Sequence, residues 1–197
     1  MKNNSAMIAK KTLVHLVLDA LFAALFVILS TLLSFKVLTL EISWASLPIL
    51  LCAALLTPAD AFAVALCGSF FEQLLSPYGM SATTPLWMLP VILQALFASL
   101  FFRLCRGKGQ TWKRIAVIFA SEILLTAANI GVSFFDAWLF DYLAYLTVNV
   151  PLRFLNGAVR AVLSSAIIPL LLPPLRKSLI RAGVITGSGE RIESEIQ

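Results

Sequence analysis

The sequence predicts an all-α membrane protein with six transmembrane helices and both termini in the cytoplasm. Three observations lead there. The 197 residues are 60% hydrophobic and only 13% charged, with a mean hydropathy of +0.93, whereas soluble domains run near 45–50% apolar, roughly. The apolar residues fall into six segments separated by polar or proline-bearing turns. Lysine and arginine gather on one side of those segments, as they do on the cytoplasmic side of membrane proteins.

The first segment, Leu13–Leu33, has no small-residue cleavage site and is followed by further spans, so it is read as a retained helix and not a signal peptide. On it Ala20 and Ala24 form a small-xxx-small pair with Ala23 alongside, a spacing that lets another helix come close. His15 and Asp19 lie one turn apart near its start, placed for a local hydrogen bond. The second segment, Ile42–Leu56, is short and interrupted by Pro48, which predicts a tilted or broken helix. A tight turn, Thr57-Pro58-Ala59-Asp60, enters the third, Ala59–Leu75. The polar stretch from Ser76 to Pro85 precedes the fourth, Leu86–Leu104, and the fifth and sixth are Ile115–Leu139 and Val150–Leu175. Beyond Pro173-Pro174 the chain turns basic and then polar, and is expected to be disordered through Gly187, Gly189 and the acidic end. No Gly/Ser/Pro-rich linker divides the middle, so residues 1–180 are taken as one six-helix transmembrane domain and 181–197 as a polar cytoplasmic tail.

An even number of spans puts both termini on one side. That side receives Lys2, Lys10, Lys11, Arg103, Arg106, Lys108, Lys113, Arg114, Arg176, Lys177, Arg181 and Arg191, which is 12 of the 15 basic residues. The other side has Lys36 alone outside a span, so the stretches near 35–41, 76–85 and 140–150 face outward. The net charge of +5 therefore reports topology and no nucleic-acid surface.

Arg153 and Arg160 remain, seven residues apart inside the sixth segment and so on one face. A charge inside a bilayer costs a few kcal/mol or more, so each needs a partner. Counting from the helix ends, Glu122 and Arg160 both lie roughly 13 Å in, and a structural ion pair between them is expected. A second polar layer occupies the outer third: Arg153 and Asn156 on the sixth segment, Asn129 on the fifth, and Glu72 with Gln73 on the third. Tyr78, Trp87, Phe134, Phe135 and Trp138 surround that level. Two readings stay open: an interfacial aromatic belt with Arg153 reaching to headgroups, or a pocket whose rings stack on a flat solute while Arg153, Glu72 and the amides read its polar edge.

Catalysis is not expected. His15 is the single histidine and lies far from Ser69, and Cys52, Cys67 and Cys105 form no CxxC pair and read as small buried hydrophobes. Neither a metal cluster nor a cofactor motif is present, and there is no P-loop, so energy for any transport must come from partner proteins.

These residues resemble the substrate-binding S component of energy-coupling factor (ECF) vitamin transporters, with the folate/pantothenate-like group the most similar. The resemblance covers about Leu13 to Leu175. It is carried by Ala20-Leu21-Phe22-Ala23-Ala24, by Leu56-Thr57-Pro58-Ala59 leading to Gly68-Ser69-Phe70-Phe71-Glu72-Gln73, and by Val150-Pro151-Leu152-Arg153-Phe154-Leu155-Asn156. It implies a multi-pass subunit of the cell membrane that captures a vitamin-like small molecule near the outer face. Loops between the first and second and the third and fourth helices would cover the site, and toppling in the lipid bilayer would carry the ligand inward. Ala20, Ala23 and Ala24 would dock a transmembrane coupling protein driven by two cytoplasmic ATPases, while Glu72, Gln73, Tyr78, Trp87, Asn129, Arg153 and Asn156 would line the site. Folate-type members tend to have a Gly-Asp pair and a Pro-Ser-Gly loop where this chain has Gly68-Ser69 and Ser76-Pro77-Tyr78-Gly79. Another heterocycle, such as a queuosine precursor, pantothenate, a pyrimidine or a corrinoid, is then as compatible as folate. The competing reading is a non-transporting membrane assembly or regulatory subunit whose polar layer only holds helices together.

Overall fold

The computed structural model describes residues 2–32, 35–37, 40–42, 44–76, 80–105, 111–141 and 143–184, with side chains from Leu13 onward except those of 35–42 and 143–148. Among them are six helices and one hairpin: α1 (Lys2–Thr31), β1 (Phe35–Val37), β2 (Leu40–Ile42), α2 (Ser46–Leu55), α3 (Pro58–Leu75), α4 (Thr84–Leu104), α5 (Thr111–Leu139) and α6 (Leu143–Arg181). Four stretches are long and apolar enough to cross a membrane: Leu13–Thr31, Thr84–Leu104, Thr111–Leu139 and Asn149–Arg181. The hairpin, absent from the sequence expectation, pairs Phe35 with Ile42 and Val37 with Leu40 in antiparallel register.

The helices pack in the order α1, α3, α4, α5, α6, each against the next, and α2 packs against α1, α3, α4 and α6. α2 is therefore the central helix. Its Ile49, Leu50 and Cys52 have no exposed surface, and they join Phe26, Ala61, Val64, Ala65, Ala98, Ile118 and Ile168 in the core. Ten residues make α2 about 15 Å long, half of a hydrocarbon layer about 30 Å thick. Pro48 does not break it, because the third residue of a helix has no intrahelical partner for its N–H. The hairpin lies at the N-terminal end of α2, where β2 packs against α6. That end is called the hairpin end below, and the opposite one, where α4 hands over to α5, the basic end.

At the basic end the α2–α3 turn closes as a capping box. Asp60 N–H donates to Thr57 Oγ1 at 3.2 Å, and Thr57 N–H donates to Asp60 Oδ2 at 2.9 Å. Pro58 occupies the first turn of α3, where a missing N–H costs no bond.

α6 is longer than its apolar segment. It runs through Pro173-Pro174 to Arg181, 39 residues in all. The two prolines leave the Pro169 and Leu170 carbonyls without their usual donors. Packing compensates: Leu172 is buried, and Leu175 and Leu179 sit against the core. The helix ends in a Schellman motif at Gly183, whose φ is +70°. Val184 N–H donates to Leu179 O and Gly183 N–H to Ile180 O, both at 3.0 Å.

Two glycines mark close helix approaches. A Cβ on Gly68 (α3) would lie 2.8 Å from Phe26 Cδ1 (α1). A Cβ on Gly157 (α6) would lie 2.6 Å from Thr126 Cγ2 (α5) and nearer still to its Oγ1. Gly131, also on α5, would meet nothing within 4 Å. Ala normally gains about 0.5–1 kcal/mol over Gly inside a helix, whereas overpacking costs roughly 1–3 kcal/mol. Gly131→Ala should therefore hold or raise the thermal midpoint in detergent. Gly157→Ala should lower it, because Thr126 is β-branched and has little freedom to yield.

Candidate functional site

α5 carries Glu122, Thr126, Asn129, Ser133 and Asp136 at steps of four, three, four and three, which places them along one stripe. α6 carries Asn149, Arg153, Asn156, Arg160 and Ser164 at steps of four, three, four and four. The two stripes meet as an antiparallel seam. Nearest the hairpin end, Arg153 Nη1 donates to Ser133 Oγ, which in turn donates to Asn129 O at 2.7 Å. In the middle Gly157 fits against Thr126, whose hydroxyl donates to Glu122 O at 2.9 Å. Farther in, Ser164 Oγ donates to Glu122 Oε1 at 3.0 Å.

The expected site residues fall into two groups at the hairpin end. Arg153, Asn156 and Asn129 belong to the seam, and all three are partly buried. Glu72 and Gln73, in the last turn of α3, and Trp87, in the first turn of α4, are also partly buried. α3 packs on α4 and α5 on α6, so α4 against α5 is what brings the two groups onto one bundle. Tyr78 lies outside the described residues. Phe134, Phe135 and Trp138 are exposed.

Other expectations are corrected. Glu122 and Arg160 form no ion pair. The contacts of Ser133 with Arg153 and of Glu122 with Ser164 set a register in which Arg160 stands about one turn nearer the hairpin end than Glu122. Counting from the helix ends missed this because α6 starts at Leu143, well before Val150. His15 bonds Asp60 and not Asp19: Nδ1 and Oδ2 are 3.2 Å apart, tying α1 to the capping box of α3. Cys52 and Cys105 are buried, but Cys67 is exposed, and all three are free thiols. The Ser69 hydroxyl is spent on the Ala65 carbonyl, 2.6 Å away. On α1, Ala20 and Ala24 are exposed together with Leu13, Leu16, Val17, Leu21 and Ile28, while Ala23 turns toward the core.

Sequence reasoning missed Ser133, Ser164 and Gln94. Serines are too common in spans to stand out. Gln94 did offer a signal, an amide at the centre of an otherwise apolar helix. It is wholly buried, as is Glu122. Among the described residues no group of three or more metal-ligating side chains occurs. The arrangement is suited to binding through hydrogen bonds and shows no nucleophile with a base.

A family model described as the ECF-type riboflavin transporter, S component, matches residues 10–180. No curated protein matches the chain.

The Ser164–Glu122 bond makes a direct prediction. Ser164→Ala leaves a buried carboxyl oxygen without a donor and should destabilise the protein by about 1–3 kcal/mol. The double variant Glu122→Met/Ser164→Ala should recover much of that loss in the same thermal unfolding measurement, since it removes both polar partners.

Proposed function

The chain belongs to the ECF-type riboflavin transporter S-component family, and on that premise we propose that it captures riboflavin, or a close flavin relative, at the hairpin end of its bundle. As a member it is the substrate-binding subunit of an ECF importer, a multi-pass membrane protein working with transmembrane and ATPase partners. The match supports the S-component resemblance and does not confirm the folate/pantothenate-like group.

The observation that carries the reading is the half-length central helix. α2 fills the core only toward the basic end, so the hairpin half of the bundle centre is bordered by α3, α4, α5 and α6. Those helices bring Glu72, Gln73, Trp87, Asn129, Arg153 and Asn156 to that half, all partly buried. A flavin pairs a flat ring system with a polyhydroxyl chain. Trp87 offers a ring for stacking. The amides of Asn129 and Asn156 and the guanidinium of Arg153 offer donors and acceptors to hydroxyls. β2 packed on α6 supports a covering role for the hairpin.

In this reading all six helices lie in the cytoplasmic membrane, α2 reaching through about half of it, the basic end faces the cytoplasm, and the hairpin end faces out, in keeping with 12 of 15 basic residues on one side. The exposed Ala20 and Ala24 on α1 offer the coupling protein a surface where backbones approach closely.

Purified protein screened against riboflavin, folate and pantothenate tests the ligand. Riboflavin at 100 times its dissociation constant should add about 2.7 kcal/mol of stability. A shift with another vitamin and none with riboflavin would overturn the assignment. For docking, Ala20→Leu/Ala24→Leu should abolish copurification with the coupling protein while flavin binding is kept; an intact complex from that variant rules the surface out.

A further inference from the structure

The basic end carries a charge pattern that the flavin site does not use. The contacts of Ser133 with Arg153 and of Glu122 with Ser164 set the register of α5 against α6. Extended toward the basic end, that register puts Lys113 about level with Pro173. Arg114 lies just inside this level, and Arg176, Lys177 and Arg181 follow outside it over roughly 12 Å of α6. Arg114 and Arg176 are partly buried, while Lys113, Lys177 and Arg181 are exposed. Among the described residues no carboxylate pairs with any of these five cations. α4 and α6 contain no Asp or Glu, and Glu122, the nearest on α5, lies roughly 12 Å inside Arg114. Asp19 and Asp60 belong to α1 and α3, at the far end of the order in which the helices pack.

Farther in, the same faces are apolar. On α6 the exposed positions Val162, Ala166 and Leu170 recur every four residues, and the stripe they draw continues through Pro174 to Lys177 and Arg181. On α5 the exposed Ile123, Phe119 and Ala116 lead in the same way to Trp112, which is 78% exposed and stands beside Lys113. An outward surface that is apolar in its depth and cationic at its end has the profile of a phospholipid with a negative headgroup. Acyl chains lie along the stripes, Trp112 suits the boundary between chain and headgroup, and the cations reach the phosphate level. A zwitterionic headgroup brings no net charge to set against them, whereas an anionic one does. Arginine adds paired N–H donors for phosphate oxygens.

We propose that the α5–α6 edge at the basic end binds an anionic phospholipid of the leaflet it faces, with Lys113, Arg114, Arg176 and Lys177 holding the headgroup. Ala20 and Ala24 are on α1, so this lipid surface is separate from the docking surface. The binding does not depend on which vitamin the protein captures.

The test places the purified full chain, without vitamin, in bilayers of phosphatidylcholine and phosphatidylglycerol in equal parts. Native mass spectrometry then reads the lipid that the protein retains. Wild type should retain phosphatidylglycerol in preference to phosphatidylcholine. Lys113→Gln/Lys177→Gln should reduce that preference by about fivefold for each charge removed. Lys113→Arg/Lys177→Arg should keep it. Lys10→Gln/Lys11→Gln, which removes two cations from the same end but from α1, should keep it as well. No preference in wild type overturns the inference, and that measurement requires no variant to fold. Full preference in Lys113→Gln/Lys177→Gln overturns it too. So does an equal loss in the α1 variant, because the preference then reports only the net charge of that end.

Discussion

Hydrocarbon offers no hydrogen bonds, so every polar group carried into it must be answered from within the protein. The seam between α5 and α6 is where this chain meets that demand. Arg153 is answered by Ser133, Ser133 by a carbonyl of its own helix, and Glu122 by Ser164. The close fit of Gly157 against Thr126 holds the two helices near enough for those short side chains to reach. At Ser133 and Ser164 hydroxyls bridge the seam. A hydroxyl can donate to one group and accept from another, so one serine connects a guanidinium to the backbone.

The second constraint is the length of α2. A central helix that spans half the hydrocarbon cannot fill the bundle core from end to end. Toward the basic end its Ile49, Leu50 and Cys52 pack against four neighbours and make an ordinary apolar core. Toward the hairpin end the surrounding helices supply polar and aromatic groups instead, and the hairpin packs on α6. One half of the molecule is thus an apolar core, and the other carries polar and aromatic groups. The His15–Asp60 contact belongs to the apolar half, where it ties the first helix to the capped start of α3.

The register of α5 against α6 shows why a partner can be wrongly paired by counting. Glu122 lies nine residues past Lys113 and Arg160 nine past Pro151, equal depths counted from opposite faces, yet Arg160 stands about one turn nearer the hairpin end. The apolar segment drawn from Val150 does not record where α6 begins, because residues 143–149 already belong to its helix. Pro48 misled in a similar way, because it falls in a first turn. The helix continues through Pro173-Pro174, where Leu172, Leu175 and Leu179 pack on the core.

Composition and charge by themselves determined that this is a helical membrane protein, which segments are apolar, and which of its ends is basic, since those follow from transfer free energies summed residue by residue. The polar stripe of α6 was also legible, because a seven-residue spacing puts Arg153 and Arg160 on one face whatever surrounds them. Only the tertiary structure decided which groups meet: that Ser164 and not Arg160 reaches Glu122, that Asp60 and not Asp19 reaches His15, and that Gln94 and Glu122 lie wholly buried. Such pairings depend on helix offsets of a single turn and on the central placement of α2, and those arise from side-chain packing between segments distant in the chain, which no local pattern encodes.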